Sequence, residues 1–60
     1  MSDDLNGHLA PGMRVRHPDR PDWGPGQVQS NVGGRVTVMF EEAGKIVIDS
    51  ARVPLDLVAD

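Results

Sequence analysis

The apolar residues of this sixty-residue chain fall into short runs of period two, and no stretch of eleven residues carries them at helical spacing. Successive strand side chains point to opposite faces, so each such run can bury one face and wet the other. In "MRVRH" Met13 and Val15 share one side, and Arg14 and Arg16 the other. "GQVQSN" repeats the pattern around Val28, and "RVTVMF" sets Val36, Val38 and Phe40 inward. "KIVID" adds Ile46 and Ile48, and "PLDLV" adds Leu55 and Leu57. The valine and isoleucine content of these runs agrees with strands.

The punctuation between the runs is that of hairpins. Gly33 and Gly34 in "NVGG" can take the positive φ of a tight two-residue turn, and Gly44 in "EEAG" suits the left-handed position of a type I turn with a G1 bulge. The middle three runs thus form an antiparallel meander. The link "DSARVP" is too short for a long helix and is expected to make a single 3-10 turn stopped by Pro54. That turn would bring the last run alongside the first. An open sheet this small would expose two edges and an apolar face, so the expected fold is an all-β, five-stranded antiparallel barrel with the 3-10 turn before the last strand.

A chain of this length buries only roughly 60% of its unfolded surface, and without cysteine it has no disulfide to help. Its two histidines, His8 and His17, make no zinc site, and no metal or cofactor is expected. The first residues carry acids and no apolar run, so no secretion signal or membrane span is expected. Residues 1–8 read as a disordered tail, 9–60 as a single domain, and the expected location is the cytoplasm, as a monomer. The net charge of −3 argues against general coating of nucleic acid. It is unevenly spread: residues 12–40 carry net +2 and residues 41–60 net −3, so one face can be basic while the whole is acidic.

The stretch "HPDRPDWGPGQV" holds the chain's one tryptophan between two prolines and beside two glycines. The prolines fix φ and the charges keep the segment wet, which describes a stiff exposed loop. Two roles are open for Trp23. It caps one end of the barrel over Val15 or Val28, or it stands half-exposed as an anchor for a partner, the residue type that dominates interface energies. Arg14 and Arg16 project from one face, with His17 and Arg20 close in sequence. These side chains are either a solvated surface making weak pairs with Asp19, Asp22 or Glu42, or a patch that grips a carboxylate or phosphate.

Catalytic patterns are absent. Gly44-Lys45 lacks the earlier glycine and the following hydroxyl of a P-loop, Gly24-Pro25-Gly26 lacks the third glycine of a dinucleotide loop, and Ser30, Ser50 and the histidines sit in no nucleophile motif. The chain is also too short for a ligand pocket beside its own core. No enzyme is expected.

The segments "PGMRVRHPDRPDWGPGQV", "GRVTVMFEEAGKIVI" and "VPLDLV" resemble a small bacterial family of stand-alone domains of unknown function, over residues 9–58. More distantly they resemble the Tudor-like domain at the C-terminus of UvrD/PcrA-type repair helicases and the RNA polymerase-interacting domain of CarD-like regulators. The shared positions are Gly12, Val15, His17, Trp23-Gly24, Gly26 and Val28, then the Val36-Val38-Phe40 strand and Gly44-Lys45. The resemblance implies a Tudor-like or SH3-like barrel that binds protein, chiefly RNA polymerase. The "PDRPD" insertion and a tryptophan where phenylalanine or histidine is usual set this chain apart from the helicase pattern.

Two functions follow as expectations. The first is a protein-interaction module linked to transcription or DNA repair, docking through a strand edge or through Trp23 and the neighbouring arginines, with RNA polymerase as candidate partner. The second is a weak nucleic-acid binder using Arg14, Arg16, Arg20 and Arg35 with Trp23 stacking on a base.

Overall fold

The computed structural model describes residues 6–58. Five strands form one antiparallel sheet: β1 (Arg14–Arg16), β2 (Gly26–Val32), β3 (Arg35–Phe40), β4 (Gly44–Asp49) and β5 (Asp56–Leu57), in the order β4-β3-β2-β1-β5. The meander stands as the alternation predicts. Val32 pairs with Arg35 around Gly33 and Gly34, whose φ values of 60° and 78° are those of a type I′ turn. Phe40 pairs with Gly44, which takes φ 80° at the end of the β3–β4 turn.

The sheet does not close into the expected barrel. The final strand does reach the first, with Val15 opposite Leu57 and Arg16 opposite Asp56. It is only two residues long, however, and lies on the far side of β1, so β4 and β5 are both edges of the sheet. Leu57, expected inward, is 57% exposed on this outermost strand. Met13, also expected inward, lies ahead of β1 and is exposed.

The expected 3-10 turn before the last strand is also displaced. The segment after β4 is a hydrogen-bonded turn in which Arg52 and Val53 N–H both donate to the Asp49 carbonyl, while the Asp49 carboxylate accepts from Ala51 N–H. The 3-10 helix is instead Pro21–Trp23, where Pro21 supplies the φ of its first position. Glycine then ends it: Gly24 stands at φ 72°, ψ −175°, a conformation open essentially to glycine alone.

The core comprises Leu9, Val15, Val28, Val36, Val38, Phe40, Ile48 and Leu55, with Ile46, Val53, Ala43 and Trp23 packed against it. Leu9 and Leu55 come from outside the strands. They cover the inner face where a closed barrel would have placed a strand, and polar groups hold them there. Asn6 is wholly buried. Its Nδ2 donates to the Val53 carbonyl (2.8 Å) and Ser50 Oγ (3.2 Å), and its Oδ1 accepts from Leu55 N–H (2.8 Å). Its carbonyl accepts from Leu9 N–H and from Asn31 Nδ2, which also donates to the Leu9 carbonyl. The expected disordered tail therefore overlaps an ordered turn at residues 6–8, and residues 1–5 of that tail lie outside the described residues.

Asn31 faces inward because of a bulge. Val28 pairs with Val38, but Ser30 pairs with Thr37, so Gln29 is extra and the alternation of β2 changes phase. Unbroken period two would have sent Asn31 to the outer face and Ser30 to the core.

The Asn6 side chain joins the turn at residues 6–8 to the segment between β4 and β5, neither of which lies in a strand. Asn6→Ala should lower unfolding free energy by about 2–3 kcal/mol, because it strands the buried Leu55 N–H and Val53 carbonyl. Urea denaturation followed by indole emission measures this; a loss below about 1 kcal/mol would show that water replaces the carboxamide.

Candidate functional site

The loop between β1 and β2 carries the tryptophan to the rim of the sheet and holds it there by its backbone. Trp23 N–H donates to the Arg20 carbonyl, and the Trp23 carbonyl accepts from Glu42 N–H in the β3–β4 turn. Pro25 and Glu41 are joined in the same way, so this loop runs as a neighbour of the turn at residues 41–43. Three prolines and the short 3-10 helix leave the segment little freedom to lose on binding.

The indole is half-buried, between the two roles the sequence leaves open. Its ring meets His17 edge-on (centroids 5.0 Å, 70° between planes) and lies tilted on Phe40 (5.2 Å, 55°). Phe40 is buried, so the indole continues the core outward. His17 is buried too, and its Nδ1 accepts the Asp19 N–H, which fixes the imidazole against the indole. The Arg20 guanidinium carbon stands 5.7 Å from the indole centroid, within cation–π range. His17, Arg20 and Trp23 therefore form one unit.

Gly26 makes room for this stack. A Cβ there would stand 2.5 Å from Val38 Cγ1 and 2.8 Å from Phe40 Cδ1, too close for either. The glycine sits between Val15 and Phe40 in the register, and its missing side chain is what lets Phe40 lie across β2 toward Trp23.

On the outer face, Arg14, Gln27, Met39 and Lys45 stand in one row across β1 to β4. Arg14, Gln27 and Met39, with Pro25, Gly26 and Glu41, line an open groove of about 210 Å³. That is below the roughly 300 Å³ at which small-molecule pockets begin, and suits one inserted side chain. An arginine on one wall and a glutamate on another give it both signs of charge.

The other predicted residues divide. Arg16 is exposed on the same face of β1 as Arg14, opposite Asp56 of β5. Arg35 joins nothing at the rim: it begins β3, opposite Asp49, about 13 Å along the strand from the Arg14 row at roughly 3.3 Å per residue. The sequence reading did not single out Glu41, Met39, Pro25 or Gln27 as lining residues. The Gly33-Gly34 turn alone would set Gln27 opposite Phe40, and it is the bulge at Gln29 that brings Met39 beside Gln27; the approach of Glu41 depends on the loop. Among the described residues no group of three or more His, Cys, Asp or Glu side chains could hold a metal ion, and no helix is long and apolar enough to cross a membrane.

A protein-family model described as a protein of unknown function (DUF3553) matches residues 9–58. No curated protein and no solved structure matches the chain. None of these comparisons supports the more distant likeness to Tudor-like, helicase and CarD-like domains.

The rim depends on the space left at Gly26. Gly26→Ala should cost about 2 kcal/mol or more in urea denaturation, since Val38 and Phe40 must both move, and should shift the indole emission of the folded state. An unchanged spectrum and midpoint would mean that Phe40 does not set the seat of Trp23.

Proposed function

The chain belongs to the DUF3553 family of proteins of unknown function, and we propose, from its rim, that it is a small non-enzymatic module that binds another protein. The observation carrying this reading is a half-exposed indole already locked in place by Phe40, His17 and Arg20; the same loop contributes Pro25 to a groove on the outer face that fits one side chain. Rigid aromatic anchors with an arginine beside them are the residues that supply most interface energy, and pre-ordering lowers the entropic cost of docking. The sequence resemblance to RNA polymerase-interacting domains makes the transcription and repair machinery, and RNA polymerase first, the partner to test.

Base stacking is the weaker reading. Arg20 already lies over the indole, and a base would have to displace it. Glu41 and Glu42 flank the loop, with Glu42 bonded to the Trp23 backbone, so phosphates would approach carboxylates. Arg35 lies about 13 Å along β3 from the Arg14 row, so it would meet a different phosphate from the arginines near the indole.

Trp23 is the chain's one tryptophan and reports on its own surroundings. Titration with RNA polymerase should change its emission, and titration with single-stranded or duplex DNA should not. Arg14→Glu combined with Arg16→Glu should weaken polymerase binding at least about tenfold while changing stability by less than about 1 kcal/mol, as expected for exposed charges. A DNA response that fades steeply with salt would favour the nucleic-acid reading. Silence toward polymerase would remove it as the partner.

A further inference from the structure

We propose that the outer edge of β4 is a self-association surface, on which a second copy of this chain adds its own β4 antiparallel about a two-fold axis at Val47, making one continuous sheet. This surface is distinct from the Trp23 rim and does not rest on its role. It replaces the monomer expected from the sequence.

The edge is long and regular, and the charges it carries are Lys45 and Asp49. β4 spans six residues, contains no proline, and among the described residues has a sheet neighbour on one side only. It pairs with β3 residue for residue from Gly44 to Asp49 with no bulge. Natural edge strands are usually shortened, bulged or broken by proline, and β5 is accordingly only two residues long.

Hydrogen-bond phase fixes which residues can meet. Antiparallel neighbours alternate between bonded and non-bonded pairs. Val32 and Arg35 are the bonded pair that closes the two-residue turn, so Arg35, Thr37 and Met39 direct their backbone groups to β2, and Val36, Val38 and Phe40 direct theirs to β4. The bond from Ser50 N–H to the Gly34 carbonyl fits this alternation. The partners of the latter three are Ile48, Ile46 and Gly44, which leaves Lys45 and Val47 with both backbone groups, and Asp49 with its N–H, turned outward.

A two-fold axis through any one residue of β4 lets outward groups meet outward groups, because it sets residues of like phase opposite one another; at Ile46 it sets Lys45 opposite Val47, and at Ile48 Asp49 opposite Val47, with no opposite charges facing. At Lys45 it would set two ammonium groups face to face, and at Asp49 two carboxylates. At Val47 it sets Lys45 of each copy opposite Asp49 of the other, on both sides of the axis. Like charges directly opposite destabilise a strand pair and opposite charges support it, so among the axes the backbone allows the charges select the one at Val47. The Val47 N–H and carbonyl then bond reciprocally, and each Asp49 N–H reaches a Lys45 carbonyl. The Asp49 carbonyl is already engaged by Arg52 and Val53. The Asp49 carboxylate, which accepts from Ala51 N–H and lies 3.7 Å from Arg52, takes the incoming ammonium as a second cation. Val47, 57% exposed in the single chain, meets its counterpart on the outer face, while the half-buried Ile46 meets the other copy's Ile48 on the inner.

Sedimentation velocity over a concentration series up to the millimolar range tests the pairing. The 6.5 kDa chain should move toward twice that mass. Lys45→Glu sets carboxylates opposite one another at both ends and should weaken the dimer at least tenfold, with an unchanged circular dichroism spectrum. Mixing Lys45→Glu with Asp49→Lys pairs opposite charges again and should restore dimer as a heterodimer. Asp49→Lys also removes the cap on Ala51, so a second measurement stands apart from it. The chain has no cysteine, and Val47→Cys places two thiols on the axis, where bonded pairs bring Cα atoms to about 5.5 Å, within disulfide reach. Val47→Cys should crosslink under mild oxidation much faster than Val32→Cys, although Val32 is the more exposed at 75%. A monomer at every concentration, a dimer indifferent to Lys45→Glu, or equal crosslinking at the two positions would each overturn the proposal.

Discussion

The fold depends on one buried carboxamide. A sheet of five short strands leaves part of its inner face uncovered, and here Leu9 and Leu55 cover it from segments that belong to no strand. Neither residue is itself paired in a ladder, although Leu55 adjoins the short β5. Asn6 supplies the missing connection: its side chain bonds to Val53, Ser50 and Leu55, and its carbonyl to Leu9 and Asn31. Among the described residues every buried side-chain nitrogen or oxygen has a partner, so the network is satisfied rather than strained. A satisfied polar network specifies one arrangement where apolar contact alone would tolerate several. Closure by side chains rather than by a strand is also what leaves β4 with an outer edge.

The central meander was legible because its determinants are local. Val36, Val38 and Phe40 alternate without interruption, and all are buried. Gly33, Gly34 and Gly44 stand where only positive φ continues the chain, and each has it. Features set by long-range contact were not legible. Nothing in "GQVQSN" marks the bulge at Gln29, because the bulge follows from where Asn31 must reach rather than from a residue preference. Barrel closure failed for a similar reason: the argument from exposed edges is sound, but residues 50–55 turn sharply at Asp49 and spend their length covering the core. "NG" at Asn6-Gly7 was a turn signal, and reading it as a tail overlooked that a turn next to Leu9 can bring an amide into the core.

For the candidate site, the sequence placed Trp23 in a stiff loop and Arg14 beside Arg16, and both placements hold. It could not place the indole on Phe40, since that contact requires the missing side chain of Gly26, a residue that reads equally well as an ordinary loop glycine. Nor could it separate Arg35 from the other arginines. Proximity in sequence grouped Arg14, Arg16 and Arg20, but Arg35 was added by charge alone, and the β3 register carries it to the opposite end of the sheet.

The rim and the β4 edge are placed so that each is compatible with the other. Trp23 packs on Phe40, and Phe40 pairs with Gly44, so the rim lies toward the Gly44 end of β4. An antiparallel pairing centred on Val47 puts the Gly44 ends of the two copies at opposite ends of the shared strand pair. Neither rim is then covered by the other copy, and the joined sheet presents one indole toward each end. A partner with two docking sites could engage both, and the second engagement would be intramolecular, with the tighter apparent binding that effective concentration brings. A partner with one site would gain nothing from the pairing. Self-association through β4 therefore changes how many partners a particle can hold without altering the geometry by which Trp23 holds any of them.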